Sequence, residues 1–76
     1  NPAGAFFKAE ISMAEQSRVQ VNLLSITGQL IRTEYDGIML PGKHSVTINC
    51  STLKAGSYLV QLKSNGAAQS LPLIIN

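Results

Sequence analysis

Two side chains in this sequence could begin nucleophilic chemistry together, Cys50 and His44, each the only residue of its kind. A cysteine nucleophile needs a base within hydrogen-bond reach and a third group to orient it. Six residues along one extended strand put the two on a common face but about 20 Å apart. That is too far for a dyad, so Cys50 reads as a small, buried or half-buried apolar residue. Glu34 and Asp36 stand two apart and could share a strand face as an acid–base pair. Asp36, however, precedes Gly37 and is expected in a turn. Metal sites need several converging ligands, and one His, one Cys and the dispersed Glu10, Glu15, Glu34 and Asp36 do not supply them. Gly28, Gly37, Gly42, Gly56 and Gly66 punctuate extended stretches, and none opens a helix that could cradle phosphate. Asn49-Cys50-Ser51 matches the glycosylation sequon, a match frequent by chance. Tyr35, Tyr58, Phe6 and Phe7 are too few for a carbohydrate platform. The residues point to no enzyme, and to no metal or cofactor.

Charge excludes a further class of function. The six basic residues, Lys8, Arg18, Arg32, Lys43, Lys54 and Lys63, give a net charge of +2 and never stand side by side. A nucleic-acid binder gathers such charge on one face or stripe, so no nucleic-acid partner is expected. A single cysteine allows no internal disulfide, and the fold must stand on its core. The longest unbroken apolar stretches, such as Ile38-Met39-Leu40, fall far short of the ~20 residues of a membrane helix. The chain opens on Asn1 rather than Met, and is expected to be a fragment or a processed piece of a longer protein.

The elements that must hold these residues repeat with a period of two. Residues 5–13 put Phe7, Ala9, Ile11 and Met13 on one face, with Lys8, Glu10 and Ser12 on the other. Residues 18–26 put Val19, Val21 and Leu23 inward. Thr27-Gly28 then separates this run from 29–35, a hairpin candidate. Asp36-Gly37 reads as a turn, followed by Ile38-Met39-Leu40 and a second turn at Pro41-Gly42. Lys43 to Asn49 alternates again with Val46 and Ile48 inward, and residues 50–56 form a crossover plugged by Leu53. Residues 57–64 carry Tyr58, Val60 and Leu62 on one face. Asn65-Gly66 is the strongest two-residue hairpin signal, and the last run, Ala67 to Ile75, groups Leu71, Leu73 and Ile75. Pro72 cannot donate to a ladder, which places that last strand at an edge or makes it irregular there.

Roughly six or seven short strands with turn signals every 8–12 residues predict an all-β fold, an immunoglobulin-like antiparallel β-sandwich of about seven strands. Its expected core is Val19, Val21, Leu23, Ile31, Val46, Ile48, Leu53, Tyr58, Val60 and Leu62. Residues 1–76 are expected to form a single domain. An apolar edge strand guarded only by Pro72 is an open template, so a strand-swapped or strand-paired homodimer is expected of the isolated domain.

Several of these features occur in one order. Asn1-Pro2 opens the chain. The stretch VQVNLLSITGQLI (19–31) resembles the V-x-V-x-x-[YF]-[DN]-x-x-G-[KQR]-x-[VIL] run of the C-terminal sorting domains of type IX secretion cargo, type A. GKHSVTINCSTLKAGSYLVQL (42–62) resembles that family's G-x-H-x-[VI]…L-x-x-G-x-Y-x-[VL]-x-[VIL] run. LPLIIN stands last, as the family's final apolar strand does. Asn1, Pro2, Gly28, Gly42, His44, Leu53, Gly56 and Tyr58 fall at matching intervals.

The resemblance implies a non-catalytic signal domain that folds in the periplasm of a Gram-negative bacterium. It implies three partners: the type IX outer-membrane translocon, an outer-membrane shuttle protein and a sortase-like peptidase. The destination implied is the cell surface or the medium. The terminal run Leu73, Ile74, Ile75 and Asn76 is the expected recognition element, since an edge strand and its main chain can be read by strand addition. Two positions depart from the family pattern. Leu24-Ser25 replaces an aromatic residue followed by Asp or Asn, and Leu71-Pro72 replaces a terminal basic pair, which suits a retained member belonging to the secretion machinery itself. The residues leave a second reading open, an accessory immunoglobulin-like module for adhesion or carbohydrate binding.

Overall fold

A computed structural model describes residues 5–76, so the expectations placed on Asn1 and Pro2 lie outside the described residues. Six antiparallel strands follow one another: β1 (Phe6–Met13), β2 (Ser17–Ser25), β3 (Leu30–Met39), β4 (Gly42–Asn49), β5 (Gly56–Ser64) and β6 (Ala67–Ile75). They form two sheets, a two-stranded one of order β1-β4 and a four-stranded one of order β3-β2-β5-β6. The arrangement is all-β and compatible with an immunoglobulin-like sandwich, with six strands rather than the expected seven.

The missing strand traces to Asp36-Gly37, which is not a turn. β3 runs straight through it, pairing Asp36 with Gln20 and Gly37 with Val19. Gly37 takes no positive φ, and the Tyr35 ring lies over it, its hydroxyl 3.2 Å from where a Cβ would stand. The same hydroxyl donates to the Ile38 carbonyl at 3.1 Å. An aromatic ring folded across a strand glycine supplies the packing surface that the glycine lacks. Asp36 meets Arg18 across the pair at 2.9 Å, an exposed contact of small energetic weight.

The other turns stand as expected. Asn65 and Gly66 take φ of 52° and 76°, the two positive values that a tight hairpin needs to match strand twist. At the β2–β3 turn the Ser25 hydroxyl accepts from the Gln29 N–H at 3.1 Å, so its side chain caps the loop.

The core is one cluster holding Val19, Val21 and Leu23 from β2, Val46 and Ile48 from β4, and Val60 from β5. Leu53, Tyr58 and Leu62 pack against it half-buried. Ile11, Met39, Cys50, Leu73 and Ile75 belong to it as well. Ile31 does not, being 44% exposed. β3 carries irregularities opposite Val21/Asn22 and Leu23/Leu24, where Glu34 and Ile31 are skipped in the register. Ile31 is itself the extra residue of the second bulge, with no β2 residue opposite it, and so it leaves the inward row.

The same bulges turn Arg32 toward the crossover. Its guanidinium bonds the Glu34 carboxylate, the Asn49 carbonyl and, at 3.2 Å, the Thr52 hydroxyl. One side chain thus ties the β3 edge of the larger sheet to the end of the smaller one.

Candidate recognition surface

The motif residues within 5–76 are scattered over the sandwich, and each has a structural task where it stands. Gly28, Gly42 and Gly56 take φ of 92°, 122° and 149°, a region closed to most L-residues, and each sits where the chain turns into a strand. His44 reaches back over the β3–β4 turn, its Nε2 2.6 Å from the Leu40 carbonyl. A carbonyl only accepts, so Nε2 carries the proton in that contact.

Leu53, Gly56 and Tyr58 form one corner. The Leu53 N–H donates to the Cys50 carbonyl at 3.1 Å, which tightens the crossover and sets the side chain against the core. Gly56 starts β5, and two residues later the Tyr58 hydroxyl donates back to the Lys54 carbonyl at 2.5 Å. A tyrosine bonding the main chain a few residues upstream is the corner device of sandwich folds. The Tyr58→Phe variant is expected to fold and to lose roughly 1 kcal/mol, one hydrogen bond's net worth. Urea denaturation measures this, and an unshifted midpoint would leave the corner without energetic weight.

These residues are brought into no common site. Cys50 is buried in the core, and among the described residues no group of His, Cys, Asp and Glu could hold a metal ion.

The terminal run divides by face. Leu73 and Ile75 are each 7% exposed and sit in the core cluster, whereas Ile74 is 61% exposed and Asn76 lies open. Among the described residues β6 pairs only with β5. The two-residue turn makes Ser64–Ala67 the hydrogen-bonded closing pair, and alternation along the register makes Leu59–Pro72 a non-hydrogen-bonded one. Pro72 therefore points its missing donor outward, where it costs the ladder nothing.

A surface feature crossing the strands escaped the sequence reading. Leu24 pairs with Leu30 on one side and Leu59 on the other, and Leu59 pairs with Pro72. Val19, Val21 and Leu23 point into the core cluster, so Leu24 and its row lie on the opposite face of the larger sheet. There Leu24 is only 8% exposed between its neighbours, while Leu30 and Pro72 lie open. The four residues form an apolar row about 14 Å long, three strand spacings, which Ile74 extends on β6. Leu24 occupies the motif position that holds an aromatic residue in the resembling family. Its only sequence signal is the doubled Leu23-Leu24, which breaks the alternation of β2. The neighbouring row is polar: Thr33 Oγ1 donates to Asn22 Oδ1 at 2.8 Å and Asn22 Nδ2 to Gln61 Oε1 at 3.1 Å. That amide ladder bounds the apolar row sharply.

A comparison with protein families matches the secretion-system C-terminal sorting domain over residues 1–76. No curated protein and no solved structure matches the chain.

Proposed function

The chain belongs to the family of type IX secretion C-terminal sorting domains, and from that premise we propose that its surface at the end of β6 is the address read during export. Membership itself means a sorting signal of cargo proteins, in a family that is generally non-catalytic. It also means engagement with the type IX system and export to the cell surface or the medium.

The finer reading is that residues 1–76 act as one C-terminal domain, folding in the periplasm of a Gram-negative bacterium. The outer-membrane translocon and its shuttle protein take up the segment Leu73–Asn76. One observation carries this reading: the last strand is an edge strand whose outward residues, Pro72, Ile74 and Asn76, stay accessible, while Leu73 and Ile75 anchor it in the core. The apolar row widens the same surface through its accessible members, half-buried Leu59 and exposed Leu30. With Leu71-Pro72 in place of a basic pair, the domain is retained rather than removed by the sortase-like peptidase.

The test is a fusion of residues 1–76 to the C-terminus of a reporter bearing a secretory signal peptide. In a bacterium with a type IX system the reporter is expected at the surface or in the medium, still attached to the domain. In a strain lacking the translocon it is expected in the periplasm. Periplasmic retention of a folded fusion in both strains would overturn the proposal and favour the accessory-module reading.

A further inference from the structure

The two-stranded sheet faces a four-stranded one, so among the described residues part of the larger sheet's inner face has no strand above it. The gap lies between the free edges of β1 and β6, a groove whose lining includes Ala9, Ile11, Val60, Leu62, Gln69 and Leu71. Leu71 shares the inward face of β6 with Leu73 and Ile75, yet it is 52% exposed where they are 7%. Its side chain points where a third strand of the smaller sheet would lie.

The β1 side of this gap is ready to pair. The Cys50 N–H donates to the Ala5 carbonyl at 2.9 Å, just beyond the Phe6–Asn49 pair. By alternation, odd residues of β1 bond to β4 and even residues do not. The N–H and C=O groups of Phe6, Lys8, Glu10 and Ser12 therefore point into the gap. On the β6 side the corresponding row is broken at Pro72, which has no N–H to offer.

Charge defines what fits. Lys8 and Glu10 face Thr47 and Ser45 on β4, with only a long 3.5 Å contact from the Ser45 hydroxyl to Glu10 Oε2. Neither takes part in the ion pairs found among the described residues, Arg18–Asp36 and Arg32–Glu34. Both remain open to a cross-strand partner on their other side.

We propose that this seam docks a single extended peptide strand, antiparallel to β1, with an acidic residue opposite Lys8, a basic one opposite Glu10 and apolar residues between. The strand continues the β1–β4 sheet and covers Leu71 and Leu62, by the strand-addition mode of peptide recognition. A second copy presenting its own β1 about a two-fold axis would carry its β6 into the same space, so a lone strand is the occupant. The site is separate from the outward face of β6, and its test needs no export.

The experiment uses the 76-residue chain and the peptide Thr-Val-Lys-Val-Glu-Val-Thr, with Thr-Val-Glu-Val-Lys-Val-Thr as the charge-exchanged control. Amide exchange followed by NMR is expected to slow at least tenfold at Lys8 and Glu10 with the first peptide. Two opposite-charge pairs become like-charge pairs in the control, so it should bind about tenfold more weakly. The doubly exchanged variant Lys8→Glu with Glu10→Lys alters only exposed side chains and should reverse the preference. Leu71→Lys should weaken both peptides. Equal affinity for the two peptides, protection at Ala68 and Ser70 instead of β1, or a seam filled by dimerisation in sedimentation would each overturn the proposal.

Discussion

Deleting Leu73 to Asn76 is expected to unfold the sandwich, not to leave it folded without an address. The deletion removes Leu73 and Ile75 from the core cluster, together with the main-chain pairs they and Ile74 make to Tyr58, Gly56 and Ser57. Each lost core side chain costs about 2–5 kcal/mol, as in large-to-small truncations. Against that, a domain of this size holds roughly 4–11 kcal/mol in total. Two such losses with a shortened ladder consume most or all of it. Thermal melting followed by far-UV circular dichroism should show a cooperative transition for the intact chain and none near ambient temperature for the deletion. A deletion mutant melting within a few degrees of the intact chain would show that β6 contributes little, contrary to the burial of Leu73 and Ile75.

That result bears on what the sequence can disclose. Strands were legible wherever alternation met a turn whose chemistry is local, as at Thr27-Gly28 and Asn65-Gly66, since such turns need only the φ that their own residues permit. Asp36-Gly37 carries the same signal yet lies in mid-strand, because Tyr35 covers the glycine and ten residues of β3 run beside β2. Tertiary packing overrode a local preference there. Ile31 was misplaced for a related reason. It is the extra residue of one of two bulges in β3, and no composition signal marks either.

The candidate surface was legible only in its terminal half. Leu73 to Asn76 stand together in sequence, and their division into buried and exposed faces follows from period two. The row Leu30, Leu24, Leu59 and Pro72 is assembled by register across four strands, from positions up to 48 residues apart. Register is set by turns and bulges, so reading that row requires the β3 irregularities first. The motif glycines, His44 and Tyr58 likewise mark the scaffold. They shape turns and a corner, and the proposed recognition uses residues that the motif leaves free.

Because β6 completes the core and, under the proposed function, also presents the address, the two roles separate only at positions that face outward. Ile74 is such a position, 61% exposed on the free edge of the larger sheet. Ile74→Glu places a charge where solvent already reaches, so stability should change by no more than about 0.5 kcal/mol. A translocon that reads an apolar, uncharged strand end would have to desolvate that carboxylate, at a cost of several kcal/mol if it stays unpaired. Surface display of a reporter fused to residues 1–76 is therefore expected to fall at least tenfold, with the protein accumulating in the periplasm at an unchanged melting temperature. Lys54→Ala and Asp36→Ala, which alter charges away from this surface, should leave display intact. The Asp36 change breaks only the exposed pair with Arg18, worth about 0–1 kcal/mol. If Ile74→Glu reaches the surface as efficiently as the parent fusion, the address does not reside in the outward face of β6.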